Sequence, residues 1–278
     1  MSELKPVIVP AQHELPIGIF DSGIGGLSIA QSIKQELPNE HFIYVADNLN
    51  APYGEKSDQF IRQRVIEIGE FLSAHPVKAI VVACNTATVT AISALRETLS
   101  IPIIGVEPAI KPAASNSLNK KVGVLVTQAT ASTQRLHDLI HTHATGADIY
   151  IQPCPGLVES IEKLGDHRAE IDDLLKGYMQ GFIEEQVDTV VLGCTHYPLI
   201  RSLIEKNLPA HVDVIDTAKP VTAQLARKLS EHHLLATTSN SDLDDVFYTS
   251  ACNHTLAKKI EELWQHSANV LPLVCDPS

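Results

Sequence analysis

"VVACNTAT" at residues 81–88 and "VVLGCTHYP" at residues 190–198 share one layout. In each, an apolar run stops at a cysteine and gives way to small polar residues. Extended upstream, Val77-Lys78-Ala79-Ile80-Val81-Val82-Ala83-Cys84 aligns without a gap on Val187-Asp188-Thr189-Val190-Val191-Leu192-Gly193-Cys194. Each is followed by a helical pattern and then a short strand, "IPIIGVEPA" in one and "HVDVIDTA" in the other. Earlier still, "IGIFDSGIGG" (17–26) pairs with "VGVLVTQATA" (122–131), setting Ser22 against Thr127. A repeat of this kind predicts an α/β fold of two pseudo-symmetric lobes. Each lobe is expected to be a largely parallel sheet flanked by helices, the first over residues 1–107 and the second over 108–216.

Hydrophobic periodicity supports the layering. "IGIF" is followed by a stretch in which Leu27, Ala30, Ile33 and Leu37 share one helical face. "FIYVAD" (42–47) reads as the next strand. A helix follows with Ser57 as its N-cap and Phe60, Ile61, Val65, Ile68, Phe71 and Leu72 as its apolar stripe. "AIVVAC" (79–84) is a strand, 86–99 a helix, and "IPIIGV" a strand. Short β-rich runs alternating with helices predict parallel sheets covered on both faces. Residues 1–15, interrupted by Pro6 and Pro10, read as an extended arm.

The 278 residues are 44% hydrophobic and 19% charged, which places the chain among globular proteins. No apolar run reaches membrane-spanning length, and the N-terminus has no basic region leading into an apolar one, so a cytoplasmic location is expected. The net charge of −12 argues against nucleic acid as a partner, because phosphate contacts need clustered Lys and Arg. The five cysteines, Cys84, Cys154, Cys194, Cys252 and Cys275, are odd in number and contain no C-x-x-C. That spacing fits neither a disulfide framework nor a structural zinc site, and no metal is expected.

Ligands of open α/β sheets bind beyond the carboxyl ends of the strands. Two related lobes facing each other would set Cys84 and Cys194 across one cleft. Acid/base groups on opposite sides of a small substrate are what inverting a stereocentre requires. The alternative is that each is a small buried hydrophobe. The amide, hydroxyl and imidazole groups in "CNT" and "CTH" favour function, since a packing cysteine has no need of them. A thiol with an ordinary pKa of about 8.5 is mostly protonated at neutral pH and needs a partner to act as a base. Asp21 and His196 are the candidates, with Asp21 equally suited to cap the helix that "DSGIGG" opens. "GIGGLS" (23–28) lacks the last glycine of a dinucleotide fingerprint, and no P-loop lysine follows. Its backbone N–H groups are expected to approach a small carboxylate.

Together "GIFDSGIGGLS", "DNLNAPYGEKS", "VVACNTAT", "CPGLVE", "VVLGCTHYPLI" and "FYTSAC" resemble the glutamate racemases of the cofactor-independent aspartate/glutamate racemase superfamily, over residues 16–265 or so. The resemblance implies interconversion of L- and D-glutamate by two thiols without cofactor, with D-glutamate supplied to peptidoglycan synthesis. It makes Cys84 and Cys194 the acid/bases and Asp21 and His196 their helpers. Asp21, Ser22, Tyr53, Gly54, Asn85, Thr86, Thr195 and His196 would line the substrate. Thr127 and Thr130 would add hydroxyls for its side-chain carboxylate, and Glu159 a further acid. "DNLN" (47–50) stands where Asp-Thr-Ala is commoner, a change expected to lie clear of the chemistry. Residues 217–278 would return to the first lobe. Some relatives with an N-terminal arm are activated by a muramic-acid peptidoglycan precursor, so that activator and a homodimer join the partners to be tested. An aspartate or hydantoin racemase, or a non-catalytic binding protein on the same fold, remain the competing readings.

Overall fold

In the computed structural model, residues 11–163, 167–238, 244–251, 254–265 and 268–274 are described. The first half runs β1 (Ile17–Asp21), α1 (Leu27–Glu36), β2 (Phe42–Ala46), α2 (Asp58–Ala74), β3 (Ala79–Val82), α3 (Asn85–Thr98), β4 (Ile103–Gly105) and α4 (Ile110–Asn116). It continues through β5 (Lys121–Val126), α5 (Gln128–Ala131), α6 (Gln134–His143), β6 (Asp148–Pro153), α7 (Leu157–Glu162), α8 (Arg168–Glu184), β7 (Thr189–Leu192), α9 (Arg201–Lys206) and β8 (Asp213–Ile215). The last part is α10 (Ala218–Glu231), β9 (Val246–Thr249), α11 (His254–Trp264) and β10 (Asn269–Pro272). Among the described residues no helix is long and apolar enough to cross a membrane.

Two parallel sheets result. One has the order β10-β9-β2-β1-β3-β4 and the other β6-β5-β7-β8. The core order β2-β1-β3-β4 is therefore repeated strand for strand as β6-β5-β7-β8. Register agrees as well: Ile17 pairs with Ala79, and Val122 pairs with Thr189, the same positions that the gapless sequence alignment equates. All four residues of β3 and all four of β7 are buried. That is why these strands read as unbroken apolar runs rather than alternating ones. The first sheet gains two strands that the repeat does not contain, since β9 pairs with β2, and β10 with β9. Val221, Leu225 and Leu229 of α10 pack into the same core as β1 and α1.

Local signals account for the helices. Ser57 caps α2, its side chain accepting the Phe60 N–H at 3.3 Å, and Ile61, Val65, Ile68 and Leu72 form its buried stripe. α3 is capped by Cys84 itself, whose sulfur accepts the Ala87 N–H at 3.4 Å. Of the expected strand "IPIIGV" the strand proper is Ile103–Gly105: the Pro102 carbonyl accepts the Ile80 N–H but Pro102 has no N–H to donate, and the Val106 N–H turns to Thr88 Oγ1 at 3.1 Å. Residues 1–10 of the expected arm lie outside the described residues, and Gln12–Glu14 form one 3-10 turn.

Candidate active site

Cys84 and Cys194 each lie two residues beyond the carboxyl end of equivalent strands, β3 and β7. They are 5% and 7% exposed, so both are buried, and they are close enough for the charge of Cys194 to act on Cys84. Cys154, also buried, packs into the second sheet's core, whereas Cys252 and Cys275 lie outside the described residues.

On the first side, the Cys84 thiol donates to Ser22 Oγ at 3.6 Å. Burial pushes it up to about 12, and the charge of Asp21 pushes the same way. The Ala87 N–H and the Ser22 hydroxyl work against that shift but do not overcome it. These surroundings favour the protonated thiol at Cys84. Next to it, the amide of Asn85 donates to Val106 O at 3.4 Å, while Asn85 Oδ1 is buried with no hydrogen-bond donor. An orphan acceptor of this kind costs roughly 1–3 kcal/mol and is a natural place for a ligand donor.

On the second side, Cys194 Sγ lies 3.8 Å from His196 Nδ1. The other ring nitrogen, Nε2, is 2.5 Å from Glu162 Oε1. Glu162 Oε1 also accepts the Ile24 N–H at 2.9 Å, and Oε2 accepts from Asn48 Nδ2 at 3.2 Å. Burial disfavours a charged His196, but its contacts with Cys194 and Glu162 outweigh burial and hold it well above the usual histidine range. For Glu162, burial acts upward and the His196 bond and charge more than compensate, leaving it below the usual carboxylate range. These contacts favour the imidazolium form, with Nδ1 toward the second sulfur.

Glu162 escaped the sequence reading, which selected Glu159. The two are three residues apart on α7, and only packing separates them. Glu159 instead lies beside Glu55, where burial and the Glu55 carboxyl hold it above its ordinary value. There it helps line a small cavity of about 30 Å³ with Gly54, Thr127 and Cys154. The "DNLN" stretch, expected to lie clear of the site, instead supplies Asn48 to Glu162.

Of the two roles considered for Asp21, the structure bears on the structural one. Its Oδ2 accepts from Gly23 N at 3.2 Å and Gly26 N at 2.9 Å in the turn that leads into α1, and Thr195 donates to Oδ1 at 3.4 Å. Burial raises the Asp21 carboxyl, with His196 opposing. The carboxylates received by the "DSGIGG" backbone are therefore the protein's own, Asp21 and Glu162. The glycines serve close approach: a Cβ at Gly25 would lie 2.5 Å from His196 Nδ1, and one at Gly23 would overlap the Glu162 carboxylate.

Thr86, Thr127 and Thr130 bring three hydroxyls together from both lobes, with oxygen separations of 3.0, 3.2 and 3.0 Å. Gly54 packs against Thr127, where an added Cβ would stand 3.0 Å from Thr127 Cβ. The Tyr53 hydroxyl turns away from the thiols and donates to buried Asp47 at 2.7 Å, which also receives Arg64.

Comparison with known proteins places this geometry. The sequence profile of the Asp/Glu/hydantoin racemase family matches residues 17–226. A glutamate racemase of Pseudomonas paraeruginosa is 43% identical over 261 residues, covering 94% of this chain and 98% of that one. The structure of a glutamate racemase from Bacillus anthracis superposes with a TM-score of 0.87 at 32% identity, covering 96% of this chain and all of the other. That of Escherichia coli glutamate racemase, determined with L-glutamate and the activator UDP-MurNAc-Ala, superposes with a TM-score of 0.79 at 32% identity, covering 94% and 99%. The chain belongs to the Asp/Glu/hydantoin racemase family.

Proposed function

We infer that the protein is a glutamate racemase that inverts the α-carbon with two thiols. One observation carries the reading: Cys84 and Cys194 hold the same position past matched strands in two sheets of the same strand order. The thiolate on one face takes the α-proton, and the C–H electron pair passes into the substrate carboxylate. The thiol on the opposite face then donates its proton to the α-carbon, and the two sulfurs exchange protonation states. Cys194 serves L-glutamate and Cys84 serves D-glutamate.

The surrounding groups suit an amino acid with two carboxylates. The substrate ammonium has two acceptors, the Asn85 Oδ1 that has no donor and the buried Asp21 carboxylate. It would also cancel the Asp21 charge that raises Cys84, and so ease loss of the thiol proton. Ser22, Thr195 and the peptide N–H groups that follow the two thiols offer donors to the α-carboxylate. Thr86, Thr127 and Thr130 can rotate their hydroxyl hydrogens from one another toward the distal carboxylate. Glu162, rather than Glu159, is assigned to His196, Glu159 with Gly54 to the small cavity beside Thr127, and the buried Tyr53 to holding Asp47. The reaction as drawn calls for no cofactor.

The lobes are assigned as residues 1–107, 108–216 and the returning 217–278, in keeping with the membership of β9 and β10 in the first sheet. A cytoplasmic enzyme supplying D-glutamate for peptidoglycan follows from the same reading. A muramyl-peptide activator and a homodimer are the partners to test. Circular dichroism of L- or D-glutamate incubated with metal-stripped protein should decay to zero in both cases. Cys84→Ala and Cys194→Ala should each abolish the decay while retaining the wild-type melting transition. Turnover of aspartate with none of glutamate would reassign the substrate.

A further inference from the structure

Glu162 closes α7 in the second lobe, yet it is fixed largely by the first. Its Oε2 accepts from Asn48, whose own Oδ1 accepts the Thr249 hydroxyl at 3.0 Å at the end of β9. Its main chain is held independently. Lys259 Nζ, on α11, donates to the carbonyls of Ile161 at 2.9 Å, Glu162 at 3.1 Å and Lys163 at 3.1 Å. These are carbonyls at the C-terminal end of α7, where a lysine both satisfies free acceptors and matches the helix dipole. Lys259 is thus a cap for one lobe contributed by the other. Its ammonium sits beside the residue that orients His196.

We propose that Asn48 and Lys259 are positioning residues for the proton transfer at Cys194, acting through Glu162 and His196, and not for the transfer at Cys84. The proposal rests on the racemase reading and deepens it. Asn48 fixes the carboxylate and Lys259 fixes the backbone that carries it. His196 Nδ1 can face Cys194 only if Nε2 has a stationary partner. The groups that attend Cys84 directly are Ser22, the Ala87 N–H and Asp21. None of these touches Lys259 or Asn48 in the hydrogen bonds described. The return of the chain to the first lobe thereby has a catalytic consequence, because it brings Lys259 and Thr249 to the second thiol's support.

Racemisation rates alone cannot test this. The enantiomers have equal free energies, so kcat/KM must be equal in the two directions for every variant. A reaction that needs one base is required. A glutamate carrying chloride on its β-carbon serves: the thiolate takes the α-proton, the C–H pair forms the Cα=Cβ bond, and chloride leaves with the C–Cl pair. Water then hydrolyses the enamine to the 2-oxo acid and ammonium. Supporting residues around a reacting group commonly contribute about 10–100-fold. Lys259→Met and Asn48→Ala are each expected to slow chloride release from the L-analogue by that amount and leave the D-analogue within about twofold. Lys259→Arg should restore most of the L-rate. The pH–rate profile should move for the L-analogue and stay in place for the D-analogue. Thermal unfolding confirms folded variants, and Asn48→Ala carries the test should Lys259→Met fail to fold. Equal losses for both enantiomers, or no loss, or a loss confined to the D-analogue would overturn the assignment. If wild-type protein neither racemises glutamate nor releases chloride from either analogue, the racemase reading itself fails and takes this proposal with it.

Discussion

His196 Nε2 stands 2.5 Å from Glu162 Oε1, while its Nδ1 faces Cys194 Sγ at 3.8 Å. One imidazole therefore connects a carboxylate at the end of α7 to a thiol at the end of β7. Among the described residues the Cys84 side has no such imidazole; a serine hydroxyl and a helix N-terminus attend that sulfur. Two lobes of matching topology thus present thiols with different neighbours, which suits a cleft that must accept a chiral substrate in both hands.

Replacing Glu162 by Gln keeps the shape and removes the charge. The variant should lose roughly 10²–10³-fold in racemisation, within the usual range for an acid/base aid. NMR titration should show His196 titrating lower than in wild type, because Cys194 is left as its upward partner and the Glu162 carboxylate is gone. An unchanged His196 titration would detach Glu162 from its role.

The same pair makes a defined pH signature in stability. His196 is raised in the folded state, so its contribution is full below the ordinary histidine value of about 6.5 and is lost as pH climbs through the raised value. Glu162 is lowered, so its contribution is full above the ordinary glutamate value of about 4.3 and is lost as pH falls through the lowered value. Urea unfolding of wild type against Glu162→Gln should show the largest difference between about pH 4.3 and 6.5, narrowing on both sides.

A thiol pushed up to about 12 carries little thiolate at neutral pH. Cys84 should therefore resist iodoacetamide at pH 7.5 in the substrate-free protein, with alkylation accelerating as pH rises. Peptide mapping by mass spectrometry reads this directly. Rapid labelling of Cys84 at pH 7.5 would contradict the closed, buried environment.

Gly25→Ala and Gly177→Ala should move stability in opposite directions. A Cβ at Gly25 meets His196 Nδ1 at 2.5 Å and His196 N at 2.7 Å, so the variant should be destabilised by about 1–3 kcal/mol and be nearly inactive. A Cβ at Gly177, inside α8, meets nothing within 4 Å, so that variant should gain about 0.5–1 kcal/mol with full activity. Thermal melts and the circular dichroism assay measure both.

At the far end of the first sheet, Lys78 Nζ lies 2.5 Å from Glu40 Oε2, with the two side chains 1% and 3% exposed. Lys78 also donates to His13 O, and Glu40 Oε1 accepts the Ala236 N–H. Lys78→Met leaves a buried carboxylate without its cation and should cost about 3–5 kcal/mol in urea unfolding. Adding Glu40→Leu should recover most of the loss, because the uncompensated charge is removed.

The sequence by itself determined the layered fold, the repeat and the two thiols. Strand and helix periods are local, and a gapless alignment equating Ala79 with Thr189 already contains the register later seen as Ile17–Ala79 and Val122–Thr189. Ser57 as a cap and Leu72 as core are likewise local readings. Choosing Glu162 over Glu159 was beyond it, because both lie on one short helix and the choice depends on His196 and on Ile24, 138 residues away in the chain. Asn48 and Lys259 were hidden for the same reason, since they reach Glu162 only across 114 and 97 residues. The hold of Asp21 on the turn before α1, and the use of "DSGIGG" to receive the protein's own carboxylates, depend on how closely backbone and side chains approach. Periodicity encodes which face of an element is buried. Which polar atom meets which across a cleft is set when the lobes pack, and only the tertiary structure decided it.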